Sequence, residues 1–460
     1  MKPAKSVADR RPAVEQSKQK GERLYEKTWN GRRAEKAMKT ISAITLGCKV
    51  NQYDTNAMLG LFRAGGYEVL PWGTPTDIAL VNTCTVTHIA DRKSRAAVRQ
   101  AARRGSAVCV CGCLAQKQKD ALLAMEGVCW VVGTADRGGI VALVEAGTGR
   151  VMAGERPDYE ELRLESPVER IRAFVKVQEG CDHFCSYCII PYVRGRAQSR
   201  TRADVVAEVQ RLCAAGVPEI VLTGIDLASY SSGGDLADLV LALEEYTPLG
   251  RLRLGSLEPG FLRYDVARRL ARSQILCPHF HLSLQSGSDR VLRAMNRHYT
   301  AADYLQELDV LRTCFDHPAV STDIMTGFPG EDDADFEQTE DLARRAAFSR
   351  LHVFPFSERD RTRAAGLPGT VPMHLRRERA LRLIALGEQL EQAYARSLLT
   401  RQQAVLFEEE EDGLSAGYCE RYVRVLAPGG RIGEVQTVRA ETMAGASLRG
   451  AVETPGPQPC

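Results

Sequence analysis

The 460-residue sequence has no stretch of about 18 consecutive apolar residues, so it predicts no transmembrane helix. Its basic N-terminus is not followed by the apolar segment that a secretory signal requires. Apolar residues make up 44% and charged residues 26%, which excludes a wholly disordered chain, a collagen and a coiled-coil rod. We therefore expect a soluble, cytoplasmic protein of about three domains of roughly 150 residues each, with no membrane partner.

A large excess of charge of one sign is also absent. The chain has 61 Lys and Arg against 58 Asp and Glu, a net charge of +3. Residues 1–40 hold 12 of the basic and 5 of the acidic residues, so the rest of the chain is slightly acidic. Any contact with nucleic acid must therefore use local basic patches.

The predicted fold class is α/β, beginning with an N-terminal parallel sheet domain. Residues 1–37 are polar and basic and indicate a disordered extension, which makes Met38 a candidate translation start. Residues 38–150 alternate short apolar runs with amphipathic segments, the pattern of a parallel α/β sheet. Residues 151–168 are polar, include two prolines and predict a linker.

The α/β rhythm returns in residues 169–400 and predicts a central, partial (β/α)6 barrel. Helices should begin at the N-caps Thr201 and Thr300. Residues 401–452 change to short strands with Gly-rich turns, which predicts a small C-terminal β-barrel, and residues 453–460 predict a frayed tail. The six predicted barrel strands are 173–177, 219–223, 251–255, 279–284, 322–326 and 351–354.

Fourteen cysteines in a chain without an export signal favour metal ligation or catalysis over disulfides. Cys181, Cys185 and Cys188 form a C-x3-C-x2-C loop directly after the first predicted barrel strand. Zinc would need a fourth ligand, which His183 within the loop could supply. Alternatively, three thiolates on a four-iron cluster leave one iron open to S-adenosylmethionine (SAM). This spacing, with Tyr187 before the last cysteine, resembles the radical-SAM superfamily, in which these three cysteines are catalytic.

Three further cysteines are dispersed along the N-terminal domain. Cys48, Cys84 and Cys113 each follow a predicted strand, and the carboxyl ends of parallel strands share one edge of a sheet. The three thiols could therefore converge on a metal centre. They could equally be unrelated buried cysteines, which behave as small apolar residues.

Taken together, these segments closely resemble the methylthiotransferases, a branch of the radical-SAM superfamily. The resemblance also covers the segments 190–196, 283–288, 322–331 and 354–357. It implies two 4Fe-4S clusters: an auxiliary cluster on Cys48, Cys84 and Cys113, and the SAM cluster on the C-x3-C-x2-C cysteines. It also implies two molecules of SAM, one that supplies a methyl group and one that supplies a radical directed at C2 of an adenine.

Three branches of the family differ in substrate: threonylcarbamoyladenosine in tRNA, isopentenyladenosine in tRNA, or an aspartate of a ribosomal protein. Residues 47–55, Gly-Cys-Lys-Val-Asn-Gln-Tyr-Asp-Thr, are most similar to the threonylcarbamoyladenosine branch. The isopentenyladenosine branch usually has Gln-Met where Lys49 and Val50 stand here. We therefore expect methylthiolation of C2 of N6-threonylcarbamoyladenosine next to the anticodon.

Five residues are candidates for binding SAM, and four for binding RNA. The first set comes from the cysteine loop and the barrel-strand ends: Tyr187, Gly224, Gln285, Ser286 and Asp323. The tail resembles the TRAM domain, a small RNA-binding β-barrel, and suggests contacts through Tyr422 and Arg424. Arg194 and Arg196 could contact RNA phosphates or the SAM carboxylate, or could form salt bridges across the barrel rim.

The expected partners are tRNA, an unidentified electron donor and an unidentified sulfur source. A different class of function also fits a chain with an iron–sulfur motif: a non-catalytic electron carrier, or a cluster-stabilised RNA-binding module. A carrier would need neither an open iron nor a barrel mouth large enough for SAM.

Overall fold

The structure is a computed structural model that describes residues 38–154, 159–164 and 171–453. The predicted extension 1–37, two stretches of the predicted linker and residues 454–460 of the predicted tail lie outside the described residues. No helix in the described part is long and apolar enough to span a membrane.

The first unit is a six-stranded, fully parallel sheet of strand order β2-β1-β3-β4-β5-β6. Its strands are β1 (Lys39–Thr45), β2 (Tyr67–Leu70), β3 (Ile78–Thr83), β4 (Ala107–Gly112), β5 (Val128–Val132) and β6 (Arg150–Met152). Its helices are α1 (Lys49–Ala64), α2 (His88–Arg103), α3 (Cys113–Lys117), α4 (Lys119–Leu123) and α5 (Ile140–Glu145). Strands β3 and β4 are buried along their whole length, because α1 and α5 cover one face and α2, α3 and α4 the other.

The second unit is an open barrel of parallel strands in two hydrogen-bonded sheets, β11-β10-β7 and β12-β13-β14-β15. Its strands are β7 (Arg172–Lys176), β10 (Glu219–Thr223), β11 (Leu252–Leu254), β12 (Ser256–Leu257), β13 (His279–Leu282), β14 (Ala319–Thr326) and β15 (Arg350–Pro355). Two short strands, β8 (Gln178–Glu179) and β9 (Gln198–Ser199), pair at the base of the cysteine loop, which holds α6 (Ile190–Arg194). The outer helices are α7 (Arg202–Ala214), α8 (Leu236–Tyr246), α9 (Tyr264–Leu270), α10 (Asp289–Ala294), α11 (Ala301–Cys314) and α12 (Asp333–Ala346).

A long helix, α13 (Met373–Ser397), leads from the open barrel to the third unit, a closed five-stranded β-barrel. Its strands are β16 (Gln402–Glu411), β17 (Leu414–Cys419), β18 (Arg424–Ala427), β19 (Val435–Ala444) and β20 (Ser447–Val452). The last turn of α13 packs into its core through Ala395 and Leu398.

The structure confirms the predicted fold class and all six predicted barrel strands. Thr201 and Thr300 cap α7 and α11 by accepting hydrogen bonds from backbone N–H groups, as predicted. The sequence interpretation missed the two edge strands, β2 and β6. Both are short, and β6 lies where the linker was expected to begin, so each is defined by its pairing with a neighbour and not by its own apolar pattern.

Candidate active site

The three dispersed cysteines lie at one edge of the N-terminal sheet. Cys48 is the N-cap of α1, Cys84 follows β3, and Cys113 is the first residue of α3. Gly47 has φ +107°, and a Cβ on it would lie 2.9 Å from the Cβ of Cys84. The loop after β1 therefore packs directly against Cys84. This edge is also where the strand order reverses between β1 and β3, the usual ligand position in an open α/β sheet.

Two asparagines hold these loops together. The side-chain amide of Asn51 donates hydrogen bonds to the carbonyls of Leu46 (2.7 Å) and Thr83 (3.2 Å), which join the ends of β1 and β3. The amide of Asn82 donates to the carbonyl of Asn51 at 2.9 Å. The two side-chain NH2 groups therefore tie the loops that carry the cysteines to one another.

Burial raises the pKa of Cys84 to about 12, and the nearby thiols of Cys113 and Cys48 raise it further. Burial likewise raises the pKa of Cys113, and the Arg194 guanidinium partly opposes this rise. The two buried thiols, Cys84 and Cys113, ionise only with a compensating cation, which a metal centre supplies, and Cys48 beside them is exposed. The donor set therefore fits an iron–sulfur cluster.

The C-x3-C-x2-C loop leaves the barrel after β8 and returns to β9. The Cys181 N–H donates to the carbonyl of Gly195 at 3.1 Å, and the Cys188 N–H donates to the carbonyl of Cys185 at 2.9 Å. Gly180 has φ +70°, and a Cβ there would lie 1.9 Å from the carbonyl oxygen of Arg196, so only glycine fits this close approach. Burial raises the pKa of Cys181 and of Cys188 to about 12, and the other thiols of the loop add to the effect.

The spacing of the thiols argues against a single zinc ion. Zn–S bonds of about 2.3 Å bring tetrahedral sulfur ligands to roughly 3.8 Å from one another. Among the described residues, one group of three potential metal ligands has its ligand atoms all within 4.8 Å of one another: Cys181, His183 and Asp226. Neither cysteine triad is that compact, whereas a four-iron cluster spans wider-spaced thiolates. His183 instead pairs with Asp226, at 3.0 Å between Nε2 and Oδ2.

Two residues that sequence reasoning missed support the cysteine loop from the segment after α10. The Asn296 side-chain amide donates to the carbonyls of His183 (3.1 Å) and Phe184 (3.2 Å). Arg297 lies with its Nη1 3.3 Å from the Sγ of Cys185, and its Nη2 donates to Glu258 at 2.8 Å. The contacts of Asn296 and Arg297 with the cysteine loop span more than 100 residues of chain, and no local pattern in the sequence marks them.

Arg194 connects the cysteine loop to the triad of the N-terminal sheet. It is the last residue of α6, and its side chain is 0% exposed. Its Nε lies 3.2 Å from the Sγ of Cys113, and its two Nη atoms donate to Glu179 and to the side chain of Asn51. The edge of the N-terminal sheet and the cysteine loop therefore meet face to face.

A buried ionic network continues this junction away from the thiols. Lys176, on β7, lies 2.7 Å from Asp54 on α1 and 3.0 Å from Glu179 on β8. Arg137, from the segment between β5 and α5, also donates to Asp54. These charges fix α1 of the N-terminal sheet to the first strand of the open barrel.

The predicted SAM-binding residues have different surroundings. Gln285 has φ +66°, and its N–H donates to the Asp323 carbonyl at 2.8 Å. Its side-chain oxygen is buried and has no hydrogen-bond partner among the described residues. Asp323 is partly exposed and lies 3.3 Å from His281. The ring of Tyr187 packs edge-to-face on Phe328. These residues line the carboxyl end of the open barrel.

The other two predicted SAM-binding residues, Ser286 and Gly224, pack against the protein itself. Ser286 is buried, with its hydroxyl 3.4 Å from that of Thr339 on α12, outside the barrel mouth. A Cβ on Gly224 would lie 2.9 Å from the Cβ of Gln178, so its missing side chain makes room for a neighbouring side chain of the protein.

The four predicted RNA contacts are also separated. Arg194 is buried at the thiol junction, so it has no access to an RNA phosphate. Tyr422 stacks on His279 (5.0 Å between ring centres) and on Tyr418 (4.8 Å). Arg424 donates to Glu409 at 2.9 Å and to Glu411. The closed barrel rests on the amino ends of β7, β10 and β11, opposite the cysteine loop, through Arg172, Arg251 and Arg253.

Arg196 differs from the other three. Its side chain is 71% exposed and lies 3.1 Å from Asp182, within the cysteine loop. Among the predicted RNA contacts it is the residue that the structure places at the surface beside the clustered thiols.

A three-cysteine loop after the first strand of an open parallel barrel defines a radical-SAM enzyme. The model of the radical SAM superfamily matches residues 175–343, and that of the uncharacterized protein family UPF0004 matches residues 40–133. The structure of the radical SAM methyltransferase TsrM from Kitasatospora setae shares the fold at a TM-score of 0.53 and 16% identity, covering 69% of this chain and 73% of that one.

Curated relatives extend the match over most of the chain. The threonylcarbamoyladenosine tRNA methylthiotransferase MtaB of Bacillus subtilis is 37% identical over 430 residues, covering 88% of this chain and 94% of the relative. The MtaB of Thermotoga maritima is 34% identical over 416 residues, covering 88% and 95%. The tRNA-2-methylthio-N(6)-dimethylallyladenosine synthase of Mycobacterium ulcerans is 38% identical over 373 residues, covering 76% and 70%. The chain belongs to the radical-SAM methylthiotransferase family.

Proposed function

We propose that this chain transfers a methylthio group to C2 of N6-threonylcarbamoyladenosine next to the anticodon of tRNA. The observation that carries the proposal is the buried contact between the sheet edge that holds one cysteine triad and the loop that holds the other, where Arg194 of the loop contacts Cys113 and Asn51. An electron carrier needs one cluster near a surface, whereas two triads on facing parts of the fold suit two centres that act on one substrate.

The chain's own residues divide the work of holding the cofactors. Cys48, Cys84 and Cys113 would hold the auxiliary 4Fe-4S cluster. The C-x3-C-x2-C cysteines would hold the cluster that binds SAM. When bound, the clusters and SAM supply the one-electron chemistry and the methyl group. A radical route suits this substrate, since side-chain bases at neutral pH cannot remove the hydrogen from C2 of adenine.

The surrounding residues position these groups. Arg297 and Arg194 donate N–H groups to the sulfurs of Cys185 and Cys113, one in each triad. Asn296 holds the carbonyls of the cysteine loop. The buried side-chain oxygen of Gln285 has no partner in the described part of the chain and is available to accept a hydrogen bond from SAM.

The substrate assignment rests on the relatives. The match to the threonylcarbamoyladenosine enzymes covers nearly their whole length, whereas that to the dimethylallyladenosine synthase covers 70% of the relative at a similar identity. The second candidate substrate is therefore isopentenyladenosine, also called dimethylallyladenosine, in tRNA. We further propose that an external electron donor and a sulfur source support turnover, and that Arg196 contacts the RNA backbone beside the cysteine loop.

Nucleoside mass spectrometry on total tRNA tests the proposal. Cells lacking the gene should accumulate threonylcarbamoyladenosine without its 2-methylthio form, and the wild-type gene should restore the methylthio nucleoside. A Cys84→Ala variant should not restore it, although the purified variant should still cleave SAM to 5′-deoxyadenosine. Cys213→Ala, on α7 and outside both triads, is the matched control and should restore the methylthio nucleoside.

Each alternative has its own signature in the same measurement. Loss of the methylthio group from isopentenyladenosine alone would assign the second substrate, and loss from a ribosomal-protein aspartate the third. No change in any of the three would refute a methylthiotransferase, and an absence of 5′-deoxyadenosine from wild-type enzyme would favour an electron carrier.

A further inference from the structure

The inner wall of the open barrel carries charged and polar side chains. Alternate residues of β7, Ala173 and Val175, pack outward into the core beneath the helices, so Phe174 between them faces inward. Strand register places Phe174, Val221 and Arg253 in one row across β7, β10 and β11. The adjacent row, nearer the amino ends of the strands, contains Arg172, Glu219 and Arg251.

The side chain of Lys49 extends from the N-terminal domain towards this inner wall. It is the first residue of α1 and follows Cys48 directly. Its Nζ lies 5.9 Å from the centre of the Phe174 ring, so the side chain reaches from the edge of the auxiliary triad into the barrel. The residue is nevertheless open to solvent, which places it in an accessible space and not in the packed core.

The three arginines of this wall are each paired with a carboxylate. Arg253 donates to Glu219 and to the carbonyls of Cys419 and Glu420. Arg172 pairs with Glu219 and Glu408.

Arg251 donates to Glu219 and to the carbonyls of Ala404 and Tyr418. One carboxylate, Glu219, thus serves three guanidinium groups. Across the barrel Asp323 is occupied by His281.

Lys49 forms no salt bridge with any of the described residues, although Glu219 attracts its charge over a longer distance, and its ammonium group has three donors for a ligand. Lys49 and the three arginines of these two rows face two carboxylates, Glu219 and Glu408. The excess positive charge is therefore accessible at Lys49, in a partly enclosed space where an anion would be less screened than in bulk water.

The chemistry of the proposed substrate matches this position. C2 and C6 of adenine are both bonded to N1, so the N6 substituent branches from the same edge of the base as C2. A base that presents C2 to the thiol junction therefore keeps its N6 substituent close to that junction. The threonylcarbamoyl substituent ends in a carboxylate, whereas an isopentenyl group carries no charge. The ammonium group of Lys49, the residue next to Cys48, can bind that carboxylate. An isopentenyl group offers it no such charge interaction.

We propose that Lys49 binds the threonyl carboxylate of the modified adenosine and thereby selects this nucleoside over uncharged N6-substituted adenosines. The inference rests on the proposed function, because it assumes that threonylcarbamoyladenosine is the substrate. A charge-assisted hydrogen bond in a site of this kind corresponds to roughly 10- to 100-fold in kcat/KM.

The test compares two substrates on anaerobically reconstituted enzyme. One is tRNA carrying threonylcarbamoyladenosine, isolated from cells that lack the gene. The other is the same tRNA after carbodiimide coupling of the threonyl carboxylate to methylamine, which removes the charge and keeps the side chain. Methylthio product is quantified by nucleoside mass spectrometry to give kcat and KM, and tRNA affinity is measured without reductant.

Wild-type enzyme should favour the free acid over the amide by roughly 10- to 100-fold, mainly through KM and tRNA affinity. Lys49→Gln should lose this preference, while keeping its iron content and its formation of 5′-deoxyadenosine, and Lys49→Arg should retain part of it. Lys119→Gln, which removes an exposed lysine from the same domain, should behave as wild type.

Several outcomes overturn the inference without touching the proposed function. Equal rates on acid and amide for wild-type enzyme would show that the carboxylate is not recognised. An unchanged preference in Lys49→Gln would assign recognition to another residue, and a loss of iron in that variant would assign Lys49 to cluster stability. If wild-type enzyme modifies isopentenyladenosine tRNA and leaves threonylcarbamoyladenosine tRNA untouched, the proposed function fails first.

Discussion

Loss of the Arg194 side chain should destabilise the domain junction, and Arg194→Met tests this. Met keeps much of the apolar stem but removes every donor. The buried guanidinium contacts Cys113, Glu179 and Asn51, and the variant leaves all three without it. Glu179 still has Lys176 at 3.0 Å, so its charge stays partly compensated.

The expected cost follows from these contacts. Removing one partner of a buried charged pair destabilises a protein by about 3–5 kcal/mol, and the retained Lys176 puts this site at the lower end, near 3 kcal/mol. The matched control is Arg196→Met, two residues away. Arg196 is exposed and pairs with Asp182 on the surface, where an ion pair contributes about 0–1 kcal/mol.

Anaerobic urea denaturation of the reconstituted enzyme measures the two free energies of unfolding. The Arg194 variant should also lower the reduction potential of the auxiliary cluster, because hydrogen bonds to the ligating sulfurs help to set that potential. A Cys185→Ala background isolates this cluster for titration. Equal stability of the two Arg variants, together with an unchanged potential, would refute the role assigned to Arg194.

Four further predictions follow from other parts of the structure. Cys185→Ala should retain about four irons per chain and form no 5′-deoxyadenosine, and full iron content would contradict the assignment of the loop. Asn296→Ala should lose about 1–3 kcal/mol of support for the cysteine loop, seen as faster iron release to a chelator, and an unchanged release rate would contradict it. Gly47→Ala, at φ +107° and against Cys84, should reduce auxiliary iron while leaving 5′-deoxyadenosine formation intact, and unaltered auxiliary iron would show that the site tolerates a Cβ. Burial raises the pKa of Glu219, but three guanidinium groups outweigh this effect and hold the pKa at about 2, below its usual 4.5; they belong to Arg253, Arg251 and Arg172. The stabilisation is present above pH 4.5 and is lost as the pH falls towards 2, so urea denaturation should show a loss of about 3 kcal/mol that Glu219→Gln lacks. An equal loss in both proteins would refute this assignment.

The elements that could be predicted from the sequence are those whose structure is determined by neighbouring residues in the chain. Strand β4 is a continuous apolar run that is buried on both faces, and the Thr300 cap is a pattern contained within four residues. The C-x3-C-x2-C spacing is likewise local. Edge strand β2 was missed because its strand conformation depends on pairing with β1, which lies more than 20 residues away in sequence.

In the candidate site, Arg194 and Arg196 show most clearly that contacts between distant parts of the chain cannot be predicted from local sequence. Arg194 and Arg196 are two residues apart and were indistinguishable as candidates for RNA, for SAM or for salt bridges across the barrel rim. One is fully buried because the edge of the N-terminal sheet covers it, and the other faces solvent. Tyr422 was assigned to RNA for its type and its domain, yet it packs against His279 of the open barrel. Each outcome depends on a partner from another unit of the fold, which the local sequence does not encode.

The buried ionic network joins the unit that carries one cysteine triad to the unit that carries the other. Burying Asp54, Lys176, Glu179, Arg137 and Arg194 carries a large desolvation cost, and apolar residues of similar volume would serve stability as well or better. Apolar packing, however, tolerates sliding, whereas charged hydrogen bonds are satisfied in one register. Arg194 extends that register to the sulfur of Cys113 through a contact of 3.2 Å. Because the radical and the sulfur must reach the same carbon atom, an error of about 1 Å between the units would lower the rate steeply. We infer that the network sets the distance between the two triads, and that its charges are retained for geometry at the expense of stability.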